Sequence, residues 1–204
     1  MTESQDTWPL PEYNPGSQKH LHALGVIAVT FAAFERSVDD LYRFHPREQK
    51  LPDDLIDLYY YSLNEEKRIQ AVRDVFRVYE ESSEMRDCLS NLLDYFLWCR
   101  NARNQLLHAE HYPAAFGGER DTLHLIKRVS KQSPRSGYMK FRLTQLRTVA
   151  DQMRTGLVQS AEINIHLRFR DKPPGDVPRA AADIIEALPS KLHVPPILAL
   201  NPTP

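Results

Sequence analysis

Arg100-Asn101-Ala102-Arg103-Asn104-Gln105-Leu106-Leu107-His108-Ala109-Glu110-His111 places two guanidinium groups, several amides and two imidazoles in one short run. A guanidinium offers a planar fork that matches phosphate oxygens. An imidazole exchanges a proton near neutral pH. Together these groups can form an acid–base and anion-binding surface. On an ideal helix, at about 100° per residue, Arg100, Asn104, His108 and His111 fall within about 80° of one another. Asn101 lies beside them, and Ala102, Leu106 and Ala109 lie opposite. Arg103 and His108, five apart, are separated by about 140°. A long arginine side chain, a frayed helix end or a two-fold partner is then needed to bring them together. Two arginines therefore compete as phosphate ligand. Plainer roles stand beside these: an arginine near a helix C-terminus offsets the macrodipole or forms a salt bridge, and His108 with His111 can be a surface pair. His108 and His111 with Glu110 lack a clear third ligand for a metal site.

The elements that must position these residues are legible in the apolar spacing. Leu21, Leu24, Ile27, Ala28, Phe31, Phe34, Val38 and Leu41 recur at three and four residues, so a helix is predicted over about 17–44, with Ser17 as N-cap. A loop over 45–52 and a short helix over 53–61 follow. Ser62-Leu63-Asn64-Glu65 has the form of a capping box, opening a helix near Leu63 that carries Ile69, Val72, Val75, Phe76 and Tyr79. The motif helix is predicted from Ser83 or Glu84 to about His111, stopped by Pro113 and Gly117-Gly118, with Leu89, Leu92, Leu93, Phe96, Leu97 and Trp98 as a broad apolar face. That breadth exceeds what a single small bundle needs to bury, which predicts a homodimer with its interface near the motif helix. Tyr95 and Trp98 belong to core or dimer surface. Alternation of period two over 122–130 and 138–144, around Ser133-Pro134-Arg135-Ser136-Gly137, predicts a β-hairpin. Thr144 is the expected cap of a last long helix through Leu167, and one helical turn is expected around 181–187 in a proline-rich tail. The fold class is mainly α, divided into an arm over 1–17, a helical domain over 18–171 and a tail over 172–204.

The chain has 204 residues, 42% hydrophobic and 26% charged, enough to bury a core. Its net charge of −1 hides an asymmetry: residues 1–118 balance at −7 and residues 119–172 at +7. The basic segment predicts either a local anion-binding face, with Lys127, Arg128, Lys140 and Arg142 on the hairpin and Arg100 beside the motif as phosphate contacts, or a surface that neutralises the acidic half. Cys88 and Cys99, 11 residues apart on one predicted helix, stand about 16 Å apart and cannot pair, which suits a reducing cytoplasm. No secretory signal pattern opens the chain, and the longest apolar stretch, 23–34, is short for a bilayer, so no membrane is expected. No nucleophilic serine or cysteine site, phosphate-cradling glycine loop or metal centre stands out, and no cofactor is expected.

Arg103-Asn104-x-x-x-His108 resembles the Arg-x4–6-His motif of HEPN domains, in which a polar residue often follows the arginine. The long opening helix with Phe31-Ala32-Ala33-Phe34-Glu35, the helix pair and the motif near the end of a long helix extend the resemblance over roughly 18–170. It implies a HEPN-like antiparallel helical bundle with a β-hairpin before the last long helix. It also implies a dimer and a metal-independent endoribonuclease, as in a toxin or defence effector with a protein antitoxin or regulator. In that reading His108 is general acid or base at the RNA 2′-hydroxyl, Arg103 binds the phosphoryl oxygens, Asn104 orients one of them and Glu35 partners Arg103. Many members of the family are non-catalytic, so the alternative is a helical dimer that binds a nucleotide, nucleic acid or protein. The position two after the histidine, a modified tyrosine in some family toxins, is Glu110 here, which argues against that mode of control.

Overall fold

The computed structural model describes residues 18–44, 50–111, 122–128, 136–186, 188 and 190–195, with the side chains of residues 18, 110–111, 126–128 and 136–138 outside that description. Its elements are α1 (Gln18–Tyr42), α2 (Asp53–Ser62), α3 (Glu65–Tyr79), α4 (Ser83–Leu107), β1 (Glu110–His111), β2 (Thr122–Arg128), β3 (Ser136–Arg142), α5 (Leu143–Phe169), a 3₁₀ turn (Pro174–Asp176) and α6 (Arg179–Glu186). The chain is mainly α-helical, with an antiparallel hairpin of β2 and β3 before its last long helix.

The apolar stripe of α1 does what its spacing requires. Leu24, Ile27, Phe31, Phe34, Val38 and Leu41 are all buried, while Leu21 and Ala28 are partly covered. They pack against α4 and α5, which supply Met85, Leu89, Leu92, Leu93, Tyr95 and Phe96, and Leu146, Val149, Met153, Ile163 and Leu167. Where α5 passes the rings of Phe34 and Tyr95, Gly156 leaves no room for a side chain. A Cβ there would stand 2.5 Å from Phe34 Cε1 and 3.1 Å from Tyr95 Cε1. By length and composition α1 is also apolar enough to cross a bilayer, because its outer face carries Val26 and Val29 as well.

Phe96, Trp98 and Tyr95 are buried within this one chain, and Leu97 packs against the same core. Their breadth is therefore accounted for by α1 and α5 on two sides of α4, and it no longer argues for a second subunit. Tyr95 reaches through the core so that its hydroxyl donates to the Gln152 carbonyl at 2.9 Å. Cys88 and Cys99 are both buried and form no disulfide with each other, and burial pushes the Cys99 thiol up to about 12.

Two helix starts differ from the sequence expectation, and that of α4 agrees with it. Asn64, not Ser62, caps α3: its Oδ1 accepts from Lys67 N at 2.9 Å, while Ser62 Oγ donates back to Tyr59 O at 2.6 Å and so belongs to the end of α2. Helix α4 opens at Ser83 as expected, capped by Ser82, whose side chain accepts from Met85 N at 3.2 Å. Helix α5 starts one residue before the expected Thr144 cap, and Gln145 Oε1 accepts the Arg142 N–H at 2.8 Å. The expected cap Ser17, the stop at Pro113 and Gly117-Gly118, and the hairpin turn over 133–135 lie outside the described residues.

The largest difference is at the motif. Helix α4 ends at Leu107; His108 is its C-cap, with φ −102° and ψ 5°, and two residues later the chain is a strand. Glu110 pairs with Ile126 and His111 with Leu125, so the hairpin gains a third, two-residue strand in the order β1-β2-β3. Backbone pairing with β2 overrides the helical preference of the last polar residues. Leu123, Leu125, Met139 and Phe141 turn this small sheet onto the core, with Leu123 opposite Phe141 and Leu125 opposite Met139.

After α5 the chain turns back. Glu80, at the end of α3, is buried and receives Arg170 Nη1 on both carboxylate oxygens, at 3.0 and 2.8 Å. Beyond α6, residues 190–192 lie along α4 and α5. Asn91 holds Leu192 by both main-chain groups, accepting its N–H at 2.7 Å and donating to its carbonyl at 3.0 Å. Gln159 Nε2 donates to the Ser190 carbonyl at 2.5 Å.

Candidate functional site

The early end of α4 changes the geometry of the polar run. A helix continued to His111 would have placed Arg100, Asn104, His108 and His111 on one face. Instead His108 leaves the helical path and its ring swings toward Arg103, whose Nη1 lies 3.5 Å from His108 Nε2. The same Nη1 donates to Asn104 Oδ1 at 2.7 Å. Five residues of separation thus become a contact through the helix terminus, one of the three routes the spacing required.

Each arginine of this region has a distinct partner. Arg100 is bound by Glu65, with Nε 2.7 Å from Oε1 and Nη2 2.8 Å from Oε2. Arg100 Nε meets Glu65 Oε1 outside good hydrogen-bond geometry, but the two short approaches to one carboxylate make this an ion pair. Arg68, on α3, lies 3.5 Å from Asp39 and 3.8 Å from Glu35. Arg103 is the exception among these three: among the described residues no carboxylate lies within ion-pair distance of it. Its partners are the Asn104 amide, the His108 ring and the face of Phe31, 5.4 Å from the guanidinium carbon.

Glu35 is therefore not the direct partner of Arg103 that the resemblance implies. It stands on α1 between Arg68 and Arg103, ion-paired with the former and feeling the latter at longer range. Burial, followed by the nearby Asp39 and Glu65 carboxylates, pushes its carboxyl above the usual range. Asp39 is likewise raised by burial, although the Tyr60 hydroxyl, donating at 2.6 Å, and Arg68 oppose the shift. The result is a half-buried seam of alternating charge across α1, α3 and α4, ending at an exposed histidine.

Sequence reasoning missed Arg68, Asp39 and Glu65 as neighbours of the site. A weak signal existed: Glu35 and Asp39 share a face of α1 at i,i+4, and Glu65 and Arg68 share a face of α3 at i,i+3.

Of the basic hairpin residues, Lys140 and Arg142 are exposed on β3, opposite His124 and Thr122. Lys127 and Arg128 lie on β2, opposite Gly137 and Ser136, and their side chains fall outside the described residues, as does that of His111. Strand β1 begins two residues after His108 and pairs with β2, so the sheet is tethered directly to the motif. Among the described residues no group of three or more histidine, cysteine, aspartate or glutamate side chains is arranged to hold a metal ion.

No protein-family model matches the chain, no curated protein matches it significantly, and no solved structure matches its fold significantly.

Proposed function

We propose that the chain is a HEPN-like, metal-independent endoribonuclease in which His108 and Arg103 act on one phosphodiester. One observation carries the reading: the guanidinium of Arg103 lies against His108 and, among the described residues, no carboxylate forms an ion pair with it. A proton-exchanging ring beside a planar cation suits a phosphodiester whose attacking hydroxyl must lose a proton while charge builds on the phosphoryl oxygens.

In this reaction His108 Nε2 removes the proton from the RNA 2′-hydroxyl. The 2′-oxygen bonds to phosphorus as the bond to the 5′-oxygen breaks, and the leaving oxygen takes a proton from His108 or water. The products are a 2′,3′-cyclic phosphate and a 5′-hydroxyl. Arg103 holds the non-bridging oxygens, and Asn104 fixes the guanidinium. Lys140 and Arg142 on the tethered sheet suit the flanking phosphates, with Lys127 and Arg128 on the neighbouring strand. The reading includes a homodimer that draws two such sites together and a protein antitoxin or regulator in the cytoplasm. The exposed outer face of α1, with Val26, Val29, Ala32 and Ala33, supplies apolar surface for self-association.

The test is incubation of the purified protein with total RNA in EDTA beside an Arg103→Ala/His108→Ala double variant. Wild type should cut and leave cyclic phosphate ends. Each single variant should lose on the order of 100-fold. Equal cutting by wild type and double variant rejects the reading. Binding of a nucleotide, nucleic acid or protein without cleavage by either one transfers it to a non-catalytic helical dimer.

A further inference from the structure

We propose that Phe31 is the positioning residue of this site: its ring holds the Arg103 guanidinium in place without neutralising it. The inference rests on the assignment of Arg103 as the phosphate ligand.

The difficulty for any anion-binding arginine on a half-buried seam is that it needs a partner to hold it still. The usual partner, a carboxylate, cancels the charge that the substrate must meet. Arg100 and Arg68 show that outcome, each committed to acidic groups. Arg103 is held differently. Its guanidinium carbon lies 5.4 Å from the centre of the Phe31 ring. A ring face attracts a cation through its quadrupole and carries no net charge. Contact with a ring face engages no carboxylate and leaves the guanidinium N–H groups to hydrogen-bond elsewhere. One of them reaches Asn104, and the same nitrogen touches His108.

The ring itself cannot wander. Phe31 is 1% exposed, stacks on Phe96 with centroids 5.3 Å apart and planes at 24°, and Phe34 meets the same Phe96 edge-on at 5.1 Å. This aromatic slab joins α1 to α4, so the position of Arg103 is set by the packing of the core. The arrangement fixes a cation that an incoming phosphate can engage without first displacing an anion.

Progressive fluorination of Phe31 tests this, because 4-fluoro-, 3,5-difluoro- and 3,4,5-trifluorophenylalanine keep nearly the same shape while draining charge from the ring face. Phe31→Leu removes the ring. Two readouts are needed. One is the Arg103 Nε–Hε resonance, which a ring overhead shifts, followed alone and during titration with inorganic phosphate. The other is RNA cleavage, separated into kcat and KM. The expected result is a graded fall in phosphate affinity and kcat along the fluorine series, reaching on the order of 10-fold for the trifluoro ring, and loss of the ring shift in Phe31→Leu. An Arg103 resonance indifferent to Phe31→Leu, or phosphate affinity flat across the folded fluorinated proteins, overturns the proposal. If phosphate affinity grades with fluorine and wild type cuts no RNA, the ribonuclease reading fails while the placement of Arg103 by Phe31 stands.

Discussion

Glu65 grips Arg100 through both of its carboxylate oxygens, at 2.7 and 2.8 Å, and so removes from the site the arginine that an unbroken helix would have set on one face with His108. Arg100→Ala should therefore act on stability and leave chemistry largely intact. With both side chains partly exposed, the expected loss is about 1 kcal/mol, read as a small fall in Tm. RNA cleavage should stay within about 3-fold of wild type, far from the loss expected of Arg103→Ala. A cleavage defect in Arg100→Ala that exceeds the one in Arg103→Ala would reverse the assignment of the phosphate ligand.

Glu35 should be better tolerated uncharged than charged. Its carboxyl is raised above the ordinary value of 4.5, first by burial and then by Asp39 and Glu65. A raised folded-state pKa means that the folded chain holds this proton more tightly than the unfolded chain. The stabilisation from protonation is full below the unfolded value and is lost as pH rises through the folded one. Glu35→Gln should thus raise Tm at pH 7 to 8, with the gain shrinking as pH falls through the raised folded-state value and gone below the ordinary glutamate range. Melts from pH 4 to 8 decide it; a constant or inverted difference counts against the burial argument.

Arg170→Met should be costly. It strips the guanidinium from a Glu80 carboxylate whose side chain is only 2% exposed, leaving a buried charge without this cation. Breaking such a pair from one side costs about 3–5 kcal/mol. The double change Arg170→Met with Glu80→Gln should recover much of that loss, and denaturant titration of both proteins measures the difference.

Gly156→Ala should destabilise by about 1–3 kcal/mol, since its methyl would sit 2.5 Å from a ring atom of the fully buried Phe34. Gly25→Ala on the exposed face of α1 meets nothing within 4 Å and should stabilise the helix by up to about 1 kcal/mol. Thermal unfolding of the two variants should move Tm in opposite directions.

The helices were legible because their cores are local patterns. Ile27, Phe31, Phe34, Val38 and Leu41 announce a buried face whatever they pack against. The end of α4 was not legible. Whether residues 108–111 stay helical depends on Glu110 and His111 pairing with Leu125 and Ile126, a backbone contact that no spacing within the motif encodes. The same gap hid the partner of Arg100, since Glu65 stands 35 residues away. Ser62 and Asn64 both have capping side chains, and which one caps is decided by where α2 finishes. Arg103 and His108 were singled out by residue type and family resemblance. Their contact arises from the helix terminus, which periodicity alone had placed farther on.

The contact between Asn91 and Leu192 spans 101 residues of chain. Closing so long a loop costs entropy that is recovered only once α4 and α5 already lie side by side, because Gln159 on α5 must be in place to hold Ser190. The segment over 190–192 is therefore expected to settle after α4 and α5 have docked. Its amides should report on the finished bundle: the Leu192 N–H gains protection from exchange only after the helices have docked. A probe placed on this segment would time the completion of folding for the whole chain.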